Sequence, residues 1–163
     1  SGVTWRIIPT STVGLGEAVF QVASRYELWK EIPNSIGSEG YKIAVVVDEI
    51  QKVIDQAQEG ITLRHQEESE ALGELEKQMG IRGSGRKELE AKHKREIRRF
   101  RTDELQFGLS IIANLYKEEL VEAPNSSNIR AIEKIRSTMV TLGRNPNEKL
   151  LLQSLFISLS EFK

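Results

Sequence analysis

From Ile43 onward the apolar residues step by alternating fours and threes. Ile43, Val47, Ile50, Ile54, Ala57 and Ile61 keep the register, and Leu72, Leu75 and Met79 resume it after an interruption at His65 and Glu68. That is the spacing of one helical face. It predicts a helix from about Tyr41 to Met79, roughly 55 to 60 Å long at ~1.5 Å per residue. Gly60 and Gly73 are tolerated weak points within it. The next stretch, Gly80-Ile81-Arg82-Gly83-Ser84-Gly85, is so rich in glycine that a chain reversal is favoured over continued helix.

A second arm of nearly matching length follows, Arg86 to Val121, with Ile97, Leu105, Leu109, Ile112, Tyr116 and Leu120 as its stripe, until Pro124-Asn125-Ser126-Ser127 halts it. Two long helices across a short turn form an antiparallel hairpin. Beyond Asn125, Ile129, Ile132, Ile135, Met139 and Leu142 mark one shorter helix, and Leu150 to Leu159 another, split by Gly143-Arg144-Asn145-Pro146-Asn147. Before the hairpin, Leu15, Ala18, Val19, Val22, Tyr26 and Trp29 mark a short amphipathic helix that Pro33, Asn34 and Gly37 break. The predicted fold class is all-α: a five-helix, bundle-like domain over residues 13–163 with a long antiparallel helical hairpin. Residues 1–12 read as a tag remnant, Ser1-Gly2, and an extended linker through Ile7-Ile8-Pro9. The chain is therefore expected to be a fragment of a longer protein.

Charge changes this picture locally. The formal net charge is only −1, so nothing global advertises a polyanionic partner. Yet Glu67, Glu68, Glu70, Glu74 and Glu76 crowd one arm, while Arg82, Arg86, Lys87, Lys92, Lys94, Arg95, Arg98, Arg99 and Arg101 crowd the other. Pairing about the turn sets Glu67 level with Arg98 and Glu70 level with Arg95. The favoured reading is a charge-zipped hairpin, each exposed pair adding a few tenths of a kcal/mol. Its competitor is a basic arm, residues 82–101, that neutralises phosphates through Arg86, Lys87, Lys94, Arg98 and Arg99.

Candidate chemistry is sparse. The absence of cysteine removes disulfides, thiolate catalysis and Cys-based zinc sites, and fits a reducing compartment. The longest apolar run, Ile43–Val47, falls far short of the ~20 residues of a bilayer span, so no membrane partner is expected. Gly80-x-x-x-x-Gly85-Arg86-Lys87 has the glycine spacing of a phosphate loop but lacks the Lys-Ser/Thr after the second glycine and the strand before the first. Gly14-Leu15-Gly16 has no βαβ unit around it. His65 and His93 are set about seven residues apart along the arms by the same pairing, ~10 Å at ~1.5 Å per residue, too far to share one ion. No nucleophilic triad or paired-carboxylate constellation stands out. No catalytic residue, metal or cofactor is expected.

The last third carries a resemblance. Ile129-x-x-Ile132-Glu133-x-Ile135-Arg136, then Leu142, then Asn145-Pro146-Asn147-x-x-Leu150-Leu151-Leu152-x-x-Leu155 resembles the final two helices of bacterial replicative clamp-loader subunits. Lys87-Glu88-Leu89-Glu90 with Arg98 to Leu105, and Gly108 to Leu120, look like the delta-prime subunit of actinobacterial type. Ile8-Pro9, Thr10 to Thr12 and Leu15 resemble the junction before that subunit's C-terminal collar domain. The resemblance implies a non-catalytic oligomerisation domain, cytoplasmic, within the DNA polymerase III clamp loader. Its partners would be the other clamp-loader subunits, with DNA met indirectly through the complex. Leu151, Leu155 and Leu159 become the expected subunit contacts. None of the family's ATPase motifs lies in this chain, and the charged arms are longer than the family's usual hairpin. The alternative is a free-standing helical-hairpin adaptor or a nucleic-acid-binding protein that uses the basic arm.

Overall fold

The computed structural model describes residues 15–37, 39–81, 83 and 85–163, with side chains from residue 23 onward. The linker assigned to residues 1–12 lies outside the described residues. Five helices follow in order: α1 (Leu15–Ser35), α2 (Gly40–Met79), α3 (Arg86–Glu122), α4 (Ser126–Leu142) and α5 (Glu148–Glu161). No strand occurs among the described residues, so the chain is all-α. Helix α1 runs through Pro33 to Ser35 instead of ending at the proline. Pro33 lacks the N–H that would bond the carbonyl of Trp29 one turn earlier, and only two residues of helix follow it.

Local chemistry sets the other ends. Gly80 closes α2 in the left-handed region at φ 66°, its N–H donating to Glu76 O, a conformation that costs glycine nothing. Asn125 caps α4, its side chain accepting from Asn128 N at 2.7 Å, and Asn147 caps α5 by accepting from Leu150 N at 3.0 Å. The two asparagines that bracket proline-containing loops in the sequence are thus the residues that start the last two helices.

Helix α3 is the element the body is built around. Leu105, Leu109 and Ile112 on it are fully buried, and α1, α2 and α4 all pack against it. Val47, Ile50 and Ile54 of α2, Ile135 of α4, and Leu152, Leu155, Phe156 and Leu159 of α5 complete one core. Helix α1 packs directly onto α3, because the indole of Trp29 sits on the backbone at Gly108, where a Cβ would lie 1.9 Å from the ring. A glycine inside a helix costs about 1 kcal/mol relative to alanine; here it makes the notch that the indole fills.

Outside the body the hairpin changes character. Beyond Ile61, the buried side chains of the two arms are His65 and His93. Leu75 and Met79, which continue the apolar register of α2, are exposed. Leu72, in the same register, is half-buried and reaches across to Gly85, so the register thins toward the tip.

Gly108→Ala is expected to destabilise the fold by about 1–3 kcal/mol or more through overpacking against Trp29. Gly73→Ala, whose added Cβ would meet nothing closer than Arg86 Nη2 at 3.8 Å, should be neutral or stabilising by up to ~1 kcal/mol. Urea unfolding of both variants checks the contrast.

Candidate functional site

The arms meet through a symmetric polar clasp. His65 of α2 bonds Glu96 of α3, Nε2 to Oε2 at 3.0 Å, and His93 of α3 bonds Glu68 of α2, Nε2 to Oε2 at 2.8 Å. The same His-x-x-Glu spacing occurs on each arm, so antiparallel pairing brings each imidazole onto the other helix's carboxylate. The two rings stack face to face, centroids 3.8 Å apart and 10° from parallel. Arg64 also pairs with Glu96, and Arg86 pairs with Glu76 nearer the tip at 3.0 Å. Among the described residues, every side-chain hydrogen bond and ion pair made between positions 64 and 97 stays within that stretch.

This corrects the hairpin register. Counting outward from the turn sets Glu68 level with Ile97, whereas it bonds His93, one helical turn earlier. The expected Glu67–Arg98 and Glu70–Arg95 pairs are not formed; Glu70 accepts from Gln66 on its own helix. The histidines, expected ~10 Å apart along the arms from ~1.5 Å per residue, are instead in contact. Each Nε2 is already engaged with a carboxylate, and no group of three or more histidines and acids among the described residues is arranged to hold a metal ion.

The carboxylates of the clasp are held ionised. Glu68 titrates below its ordinary value of 4.5, chiefly because His93 donates to it. For Glu96, burial works against ionisation, but the bonds from His65 and Arg64 outweigh it and its pKa is also lowered.

Where the arms join the body, Arg101 gathers four partners. It reaches Glu148 through Nε at 3.1 Å, Asp55 and Gln58 through Nη1 at 2.6 and 2.9 Å, and Gln51 through Nη2 at 2.9 Å. Burial opposes its charge, yet the bonds to Glu148 and Asp55 more than offset it and raise its pKa. One planar guanidinium thereby ties α3 to α2 and to the first turn of α5. A second buried pair, Arg25 Nε to Glu104 Oε2 at 3.0 Å, ties α1 to α3. Neither role is legible from charge counting. The signal available is Arg101 falling one helical turn before the buried Leu105.

The residues singled out for phosphate contact divide. Arg86 is occupied by Glu76, and Arg99 stands 3.9 Å from Asp103. Lys87, Lys94 and Arg98 are exposed and carry no side-chain partner among the described residues. The residues singled out for subunit contact are placed differently from expectation. Leu155 and Leu159 are buried in the core, and Leu151 is half-buried against it. The outward side of α5 instead presents Leu150 and Ile157, and α4 presents Ile129 and Val140, each pair sharing one helical face. Beside Val140, an open groove of about 430 Å³ runs between α3 and α4, lined by Gln106, Ala113, Ile132 and Met139 among others.

Comparison with known proteins gives no match, whether to a family model, to a curated protein or to a solved structure. No helix among the described residues is long and apolar enough to cross a membrane.

Because Glu68 and Glu96 have lowered pKa values in the folded chain, the stability they contribute is complete above their ordinary value of 4.5 and is lost as pH falls through the lower folded values. The double variant Glu68→Gln/Glu96→Gln should be less stable than the parent at neutral pH but lose less stability between about pH 5 and pH 3. Urea midpoints measured across that range check both the sign and the convergence.

Proposed function

We propose that this chain is a non-catalytic oligomerisation domain, the collar of a delta-prime-like subunit of the bacterial DNA polymerase III clamp loader. In that role it acts in the cytosol, helping to assemble the complex that loads the sliding clamp during replication, with ATP bound and hydrolysed by other parts of the assembly.

The observation that carries the reading is the outward face of the last two helices. The stretch that resembles clamp-loader subunits fills the core from one side of α5 through Leu152, Leu155, Phe156 and Leu159. It still presents Leu150 and Ile157 from the other side, with Ile129 and Val140 on α4. Isolated exposed leucines need no explanation, but apolar side chains repeated at i, i+7 and i, i+11 on adjacent helices make faces that another helix can cover. In a ring of similar domains those faces meet their neighbours. The contact residues in this reading are Leu150, Ile157, Ile129 and Val140, with half-buried Leu151 at the margin.

Burying a Leu or Ile side chain stabilises by about 1.5–3 kcal/mol. Leu150→Glu/Ile157→Glu should therefore weaken assembly with the ATPase and delta subunits of the same organism's clamp loader by at least about tenfold. Both positions are exposed, so the fold should survive. Light scattering of the mixtures, with circular dichroism of the variant, is the check. A mixed assembly indifferent to these changes would contradict the assigned face, and no mixed assembly with the unmodified chain at tens of micromolar or above would contradict the collar reading.

A further inference from the structure

The face of the α3 arm opposite the clasp is a second candidate site. His93, Glu96 and Arg86 turn toward α2. At 3.6 residues per turn, the side chains on the opposite face between positions 87 and 102 are Lys87, Ala91, Lys94, Arg95, Arg98 and Thr102. That face carries four cations and one acid, Glu88 beside Arg95, with Glu90 on its other flank. Lys87, Lys94, Arg95 and Arg98 are all exposed, and none has a side-chain hydrogen bond or ion pair among the described residues.

The contrast with the neighbouring cations is informative. Arg64, Arg86, Arg99 and Arg101 each have a carboxylate within reach, so the arm has no shortage of acids. Glu68, Glu76 and Glu96 are engaged on the clasp side, and Glu88 and Glu90, exposed beside the outer cations, form no ion pair with them among the described residues. The clasp also fixes that face on a projecting hairpin, clear of the helices that would cover it on the body.

The geometry points to this face as a docking surface for the phosphate backbone of duplex DNA, read without regard to sequence. From Lys87 to Arg98 the stripe spans roughly 16 Å at ~1.5 Å per residue, the axial length of about five phosphates on one strand. No aromatic side chain stands on it, since Phe100 is turned toward the α2 side and packs against the core, so there is no platform on which the bases of a single strand could stack. No large apolar side chain stands among the cations either, which removes the wedge an amphipathic helix needs to enter a lipid surface. Four lysine and arginine contacts to phosphate give a duplex affinity that falls with salt at a logarithmic slope of about −3.6, or about 150-fold between ~50 and ~200 mM. The inference holds whether or not the chain assembles as proposed above.

The test is binding of the whole chain to a fluorescent duplex of about twenty base pairs over that salt range. The same salt series is run with a single strand of equal length and with vesicles rich in anionic lipid. Lys87→Gln/Lys94→Gln/Arg95→Gln/Arg98→Gln is compared with Lys134→Gln/Arg136→Gln, which removes exposed cations from α4. Duplex binding by the parent that loses about 3.6 units of salt slope in the quadruple variant, and none in the α4 variant, is the expected result. Absence of duplex binding at the lowest salt overturns the proposal. So does tighter binding to the single strand or the vesicles, or an equal loss of slope in both variants. Circular dichroism of the quadruple variant must match the parent, and loss of duplex binding in a folded variant then assigns the effect to the face.

Discussion

Helix α3 has to satisfy α1, α2 and α4 at once, and the packing of Trp29 onto Gly108 brings an α1 side chain directly onto its backbone. With the indole resting on the α3 backbone, α1 lies close enough for Arg25 to reach Glu104 with both partners buried. A buried pair of this kind gives little net stability and is costly to break, so it fixes how α1 sits once the ring is seated. From the same helix, Leu105, Leu109 and Ile112 organise the apolar core, and Arg101 ties the base of the hairpin to α5. Body and hairpin are thereby continuous through one rigid element.

Along that element the cohesive force changes. In the body, apolar side chains interdigitate and the polar bonds settle orientation. Past Ile61 on α2, the seam continues at the same helical spacing, but its buried side chains are imidazoles, each stacked on the other and bonded to a carboxylate across the interface, with half-buried Leu72, Leu89 and Ile97 beside them. Directional polar contacts of this kind specify register more sharply than they stabilise. A hairpin closed by them can project from the body without exposing a long apolar seam, and its outer faces stay available for charge. The outward faces of α4 and α5 and the outer face of the arm lie on different parts of the molecule, so the assembly and the phosphate docking proposed for them do not compete.

Much of this was legible in the sequence, and what was not has physical reasons. The boundaries of α2 and α3, the glycine turn and the all-α class follow from apolar periodicity and helix breakers, because both act within a few residues. The pairing of the arms does not, since it depends on how the turn is wound, and an offset of one helical turn carries every cross-helix pair with it. For that reason His65 and His93 read as distant and yet stack. His65 and Glu68 looked like interruptions of the apolar stripe, when they occupy seam positions and supply its contacts. Likewise periodicity picks out Leu155 and Leu159 as members of an apolar face without saying which side of α5 the core takes; the core takes theirs and leaves Leu150 and Ile157 outside. The notch at Gly108 had a signal, a glycine midway along a helix stripe, but its partner on α1 is set by tertiary packing alone.

Arm and body are held by different forces, and the arm is expected to open separately. Native-state hydrogen exchange under increasing urea measures this most directly, because it reports an opening free energy for each stretch of helix. Amides around His65 and His93 should exchange through an opening of lower free energy than those around Ile50–Ile54 and Leu105–Ile112, which should exchange only on global unfolding. A single opening free energy shared by the arm and the core would contradict the account.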